Sequence, residues 1–285
     1  MKLKLATCQF ELSADVERNR KAVIRQMRAA KQRGATLAHF SEVCLSGYFG
    51  AELKRGTELD WDALDAAMQD VMALAAELRL WVVVGSTHRL TGKHKPHNSL
   101  YVISDTGKLI TRYDKLFCTG KDANDGDLSS YSPGDELVIF AVDGVKCGLL
   151  ICHDYRYPEL FREYKRRGVE LTLVSFHNAG MSHDRQVHYL QSVPFTLQAA
   201  AASNYFAVSA TNGTRKYAWP SFVVNQEGMI VTRAPLHRGS VLISTVDTNA
   251  KLYDASEHWR DRCMRGVLHS GKTVSDPRSA ARSAL

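Results

Sequence analysis

The hydrophobic pattern of the chain switches between two periods. Residues 2–10, KLKLATCQF, alternate apolar and polar positions, which is the spacing of a strand with one buried face. Residues 13–34, SADVERNRKAVIRQMRAAKQRG, repeat apolar positions every three or four residues, with Ser13 placed to cap a helix and Gly34 to stop it. ATLAHFSE, residues 35–42, predicts a strand ending at Glu42. A second amphipathic helix is predicted over 60–79 and a buried strand over 80–88. Residues 97–115, HNSLYVISDTGKLITRYDK, predict a strand, an Asp-Thr-Gly-Lys turn and a returning strand.

A long polar segment follows over 116–136, a length that in compact domains often lines a binding site. LVIFAVDGVKCGLLIC predicts a hairpin turning at Asp143-Gly144, and YPELFREYKRRG and VELTLVSF a helix and a strand. Residues 183–204 predict a helix that Pro194 should bend or restart. Segments 205–212, 220–234 and 239–247 supply the last strands, while the tail from about 250 is irregular and its end, SDPRSAARSAL, is expected to be mobile. Alternating helices and strands with hairpins between them define an α/β chain and argue for two sheets packed together under outer helices. Periodicity alone does not choose this over one open doubly wound sheet. No internal repeat is visible. The expected organisation is one domain over 1–250 and a C-terminal extension over 251–285 that serves as an oligomer contact.

Composition narrows the class. The chain has 285 residues, 45% hydrophobic and 24% charged, an ordinary balance for a globular protein with a sizeable core. The N-terminal segment has no continuous apolar stretch, and runs such as LWVVVG are too short to cross a bilayer. Neither a membrane nor a secretory route is expected. The six cysteines are scattered through strand-like segments without a C-x-x-C pair, the habit of reduced thiols in the cytoplasm. The net charge of +7 raises the question of nucleic acid, but Lys and Arg are interleaved with acids and form no basic face, so none is expected.

The chemistry concentrates in LLICHDYRYPEL, residues 149–160, where an apolar run delivers Cys152 into a polar turn. A nucleophilic thiol needs a base. His153 and Asp154 stand beside it, but neighbouring side chains of an extended segment point to opposite faces, so His153 cannot easily fold back onto the sulfur. The base comes from elsewhere. Three strand ends each carry one polar residue after an apolar run: Glu42 in HFSEVCLSGY, Lys115 in RYDKLF and Cys152. Taken singly they are a surface acid, a surface cation and a core thiol; together they are an acid, a base and a nucleophile. His177, His183 and His188 lie close in sequence, but a metal site needs more ligands at suitable spacing. No metal and no cofactor are expected.

These three settings, with SPGD before the central hairpin, NSLYVIS with TGKLI, and the closing GSVLISTVD, resemble the nitrilase superfamily of carbon–nitrogen hydrolases over residues 3–250. The resemblance implies an α-β-β-α sandwich, a homodimer or higher homo-oligomer, and a Glu42–Lys115–Cys152 triad. In that triad Glu42 takes the thiol proton, Lys115 favours thiolate and faces the oxyanion with the His153 backbone N–H, and a thioester forms and is hydrolysed. The expected reaction is hydrolysis of a non-peptide C–N bond in a small amide or N-carbamoyl compound, with release of ammonia or an amine. Nitrile hydrolysis on the same fold and a catalytically weak scaffold are the alternatives. The family commonly places a second glutamate six positions before the Pro of its Pro-Gly pair; here that position is Asp127, shorter by about 1.5 Å. A histidine often found two residues past the lysine is Phe117. His153-Asp154 after the nucleophile looks like the amidase and carbamoylase side. Arg156 falls where carboxylate-gripping arginines occur, and Tyr48, His177 and Asn178 are further candidates for substrate contact. The sequence does not name the substrate, because loops 117–133, 177–186 and 213–220 shape the pocket.

Overall fold

The computed structural model describes residues 1–178, 183–213 and 219–283; of His183 only the backbone is described. Strands β1 (Lys2–Gln9), β2 (Leu37–His39), β3 (Trp81–His88), β4 (His97–Ile103) and β5 (Leu109–Asp114) form one sheet, joined at its other side by the last strand of the chain. Strands β6 (Ile139–Val142), β7 (Val145–Ile151), β8 (Leu171–Phe176), β9 (Ala207–Asn212), β10 (Phe222–Val224) and β11 (Ile230–Arg233) form the second. With β12 (Ser240–Asp247), the orders are β12-β1-β2-β3-β4-β5 and β11-β10-β9-β8-β7-β6. In each sheet a central parallel trio, β1-β2-β3 or β7-β8-β9, is flanked by antiparallel strands.

Helices α1 (Val16–Gln32) and α2 (Trp61–Leu78) cover the outer face of the first sheet, and α3 (Pro158–Arg166) and α4 (His183–Asn204) that of the second. The alternation in β1 explains the layering. Leu3 and Leu5 join the core between the sheets, while Ala6 and Cys8 pack under α1 and α2. Polar side chains also bridge the sheets: Thr7 Oγ1 to Ser209 Oγ at 2.8 Å, His39 Nδ1 to Ser209 Oγ at 2.9 Å and His39 Nε2 to Ser175 Oγ at 2.9 Å. Burial pulls the His39 imidazole down to about 3, so it bridges as the neutral ring.

Two local expectations change. Asp15, not Ser13, caps α1, accepting from Glu17 N and Arg18 N, while Ser13 Oγ accepts from Asp15 N. Helix α4 runs as one element through Pro194, which forfeits one rung of the ladder without ending it. The central hairpin turns where expected, Asp143 and Gly144 both taking positive φ (50° and 82°), the geometry a tight turn between twisted strands requires. Beyond 250 the chain returns along α4. Arg260 donates to Ser203 O at 3.2 Å, pairs with Asp254 and lies over the Tyr205 ring. A short helix, Pro277–Ala280, lies in the exposed end of the chain. Among the described residues no helix is long and apolar enough to cross a membrane.

Candidate active site

Glu42 stands three residues past β2 rather than at its last position, because the chain leaves the sheet at Ser41 and turns sharply. Gly85 on β3 makes room for that turn: a Cβ there would lie 2.3 Å from Ser41 O and 2.5 Å from Val43 N. Val43 takes φ 42°, and Leu45 N closes the turn onto Gly85 O at 3.0 Å. The Glu42 carboxylate is fully buried and held on both oxygens. Oε1 accepts from Lys115 Nζ at 2.9 Å and Asn98 Nδ2 at 2.7 Å; Oε2 accepts from the His177 backbone N–H at 2.8 Å.

Lys115 follows β5 directly, its N–H bonded to Asn98 O and its carbonyl to Gly134 N. The ammonium is also fully buried and donates to Asp127 Oδ2 at 2.7 Å. Asp127 reaches it despite its short side chain because the loop folds back tightly. Asp127 N bonds Thr119 Oγ1 and Leu128 N bonds Thr119 O. At Gly126 a Cβ would lie 2.6 Å from the Thr119 backbone, and at Gly120 one would lie 2.2 Å from Asp125 O. The loop thus makes up the missing carbon. The other Asp127 oxygen accepts from the Tyr48 hydroxyl.

Cys152 directly follows β7 with φ 44°, a left-handed conformation for a non-glycine residue, and opens a short 3-10 turn over Cys152–Arg156. Asp154 ties that turn down. Its buried carboxylate accepts from Ile151 N at 2.9 Å, Phe117 N at 2.7 Å and the Tyr113 hydroxyl at 2.8 Å. Asp154 is therefore spent on the elbow, and the His153 ring turns away to pack edge-on against Tyr157, which stacks on Phe117 at 3.7 Å. Neither neighbour serves as the base for Cys152. Cys152 Sγ lies 3.8 Å from Asn178 Oδ1, and the Glu42 charge acts on it electrostatically.

Charge and burial set the resting protonation. Burial alone would pull Lys115 down, but Glu42 and Asp127 hold it well above its ordinary value. Asp127, which burial would raise, is held below the usual carboxylate range by Lys115. Burial, with Glu42 and Asp127 adding to it, pushes the Cys152 thiol well up, and Lys115 offsets this only in part. The cation therefore does not by itself make a thiolate. The thiol therefore rests protonated, close to the Asn178 side chain.

Of the remaining candidates, Tyr48 and His177 stand in the same buried wall, and Asn178 is fixed beside the sulfur by Asn212 Oδ1, which accepts from its N–H at 3.1 Å. Arg156 is exposed at the rim of a cleft between α3 and α4, its guanidinium 5.1 Å from the Tyr155 ring centre and 5.5 Å from that of Tyr189. Glu163, on α3, pairs with Arg166 and Arg167. His183's side chain and parts of loops 177–186 and 213–220 lie outside the described residues. His177 bonds Glu52, and among the described residues no cluster of His, Cys, Asp or Glu is arranged to hold a metal. Asn98, Glu52 and Asn212 went unnoticed in the sequence. Asn98 opens the NSLYVIS motif, which was the one available signal.

The carbon–nitrogen hydrolase family model matches residues 4–252, and the chain belongs to that family. It is similar to the hydrolase in the agr operon of Staphylococcus lugdunensis, 26% identical with 73% of this chain and 86% of that one covered. It is also similar to omega-amidase NIT2 of Homo sapiens, 25% identical with 86% and 88% covered. Its fold is that of an amidase from Nesterenkonia sp., with a TM-score of 0.75 at 20% identity over 94% of this chain and 96% of the other.

Proposed function

We propose that this protein is an amidase: it hydrolyses the C–N bond of a small amide or N-carbamoyl compound through a Cys152 thioester. The observation that carries the reading is the convergence of a buried carboxylate, a buried ammonium and a strained thiol at the ends of three elements far apart in sequence. Glu42 takes the thiol proton as Sγ bonds to the amide carbon, and the carbonyl electrons move onto oxygen. Lys115 Nζ and the His153 N–H face that oxyanion. Collapse breaks the C–N bond while the acid form of Glu42 protonates the departing nitrogen, leaving a thioester and a free carboxylate at Glu42. Glu42 then takes a proton from water, the hydroxide adds to the acyl carbon, and the thiolate leaves and recovers that proton. Among similar proteins, the Nesterenkonia amidase has been captured with acrylamide, with butyramide and with the acetamide moiety of fluoroacetamide on its active-site cysteine.

The test is an ammonia-release screen over primary amides, ω-amides and N-carbamoyl amino acids, with the matching nitriles alongside. Release from an amide is expected; release from nitriles alone would overturn the reading. Arg156, a cation on the turn that bears the nucleophile and without a carboxylate partner among the described residues, supports a substrate with a free carboxylate. We read 251–285 as a C-terminal extension that serves as an oligomer contact, its Arg260 and Met264 lying against α4 and α3, and the chain as a cytoplasmic homodimer or larger homo-oligomer. Six unpaired thiols support the compartment, and the apolar cleft of about 890 Å³ between α3 and α4, with Phe195 74% exposed beside it, supports the assembly.

A further inference from the structure

Behind the base lies a second buried pair. His177 Nε2 and Glu52 Oε2 are 2.9 Å apart, and both side chains are 1% exposed. The same Glu52 oxygen accepts from the Tyr48 backbone N–H at 3.3 Å. Tyr48 donates its hydroxyl to Asp127, Asp127 holds Lys115, Lys115 holds Glu42, and Glu42 accepts from the His177 N–H. The contacts close a ring: Glu42, His177, Glu52, Tyr48, Asp127, Lys115 and back to Glu42. His177 enters it twice, by its peptide N–H to the base and by its imidazole to Glu52. The Tyr48 and His177 rings meet edge to face across it at 5.8 Å.

We propose that Glu52 and His177 are positioning residues that set where the Glu42 carboxylate sits, acting through the His177 peptide. The inference rests on reading Glu42 as the base. Two features separate it from ordinary packing. His177 Nδ1 is buried and has no hydrogen-bond partner among the described residues, where the bond to Glu52 is the polar contact that fixes the ring. The ring is also fitted against Gly213, where a Cβ would lie 2.3 Å from Nδ1. A side chain at 213 must therefore push the imidazole away from its place. Because Glu42 Oε2 has the His177 N–H as its backbone anchor, a shift of that peptide moves the base relative to the sulfur. Misplacement by about 1 Å costs roughly 10²-fold in rate.

The test compares Glu52→Ala, Glu52→Gln, His177→Ala and Gly213→Ala in the intact chain, using the amide found by the screen and the rate at which iodoacetamide alkylates Cys152. Glu52→Ala, His177→Ala and Gly213→Ala should each lower kcat by roughly 10- to 100-fold with KM changed by less than about threefold, and slow alkylation in parallel. Glu52→Gln keeps an oxygen acceptor and should stay within about threefold of wild type. Wild-type kcat in Glu52→Ala, or a loss carried by KM alone, overturns the proposal; the latter outcome makes the pair a substrate contact. If Glu52→Ala does not fold, Gly213→Ala and His177→Ala decide on the same criteria. Glu42→Gln separates the two levels. Wild-type turnover in that variant defeats the base assignment itself, whereas an inactive Glu42→Gln beside a fully active Glu52→Ala defeats only the positioning pair.

Discussion

The two sheets are built alike and used differently. Counted from β12 through β5 and from β6 through β11, both run antiparallel, parallel, parallel, antiparallel, antiparallel. The second strand of each parallel trio leads to a residue of the ring, Glu42 after β2 and His177 after β8. The first half contributes charges, and it holds them with side-chain hydrogen bonds in full burial: Glu42 on Asn98 and Lys115, Lys115 on Asp127. The second half contributes the thiol and holds it with backbone geometry, a left-handed Cys152 on a turn pinned by Asp154. A charge removed from water needs partners at fixed positions, whereas a thiol needs only direction. One scaffold therefore carries two methods of fixing a reactive group, each suited to what it holds.

Substitutions can break this contrast at either end. Cys152→Ala, Glu42→Gln and Lys115→Ala should each reduce ammonia release by roughly 10³-fold or more, because the three act as a unit. More than about a tenth of the wild-type rate in any of them would sink the triad. Asp127→Ala leaves Lys115 with one acid instead of two and should lower kcat by about 10²-fold. Unchanged kinetics would remove the loop acid from the charged end. Arg156→Ala should lower kcat/KM by about 10- to 150-fold for substrates with a free carboxylate and hardly at all for neutral amides. Equal losses on both would return this residue to the surface.

The smallest effect tests the elbow. Burial pushes Asp154 up to about 6 despite three donors, above the roughly 3.9 of a free aspartate. The folded protein then binds this proton more tightly than the unfolded chain. The stability it contributes is fully present below about pH 4 and is lost as the pH rises through about 6. Asp154→Asn should flatten that part of the profile. Urea midpoints that run parallel for wild type and variant between about pH 4 and pH 7 would falsify the assignment.

The strands and helices were legible because each depends on local pattern, a period of two or of 3.6; Glu42, Lys115 and Cys152 stood out as polar residues after apolar runs, and their joint role was what the family resemblance implied. What was hidden depends on contacts between distant segments. The three-residue overshoot that places Glu42 needs Gly85, on another strand. Asp127 looks too short until Gly120 and Gly126 fold its loop back. His177 and Glu52 are 125 positions apart, and nothing in either neighbourhood marks a pair. The repeated connectivity is also invisible in the residues, since the two halves share strand order but not side chains.

The place of β1 has a consequence for folding during synthesis. This strand is flanked by β2 on one side and by β12 on the other, so its second edge is completed by residues 240–247. At about 5–20 residues per second, the interval between making Gln9 and making Ser240 is roughly 10–50 s. Through that interval one edge of β1 lacks its ladder, open to pairing with another nascent chain. Closure comes late, when Thr248 N bonds Met1 O at 2.9 Å beyond the β1–β12 ladder.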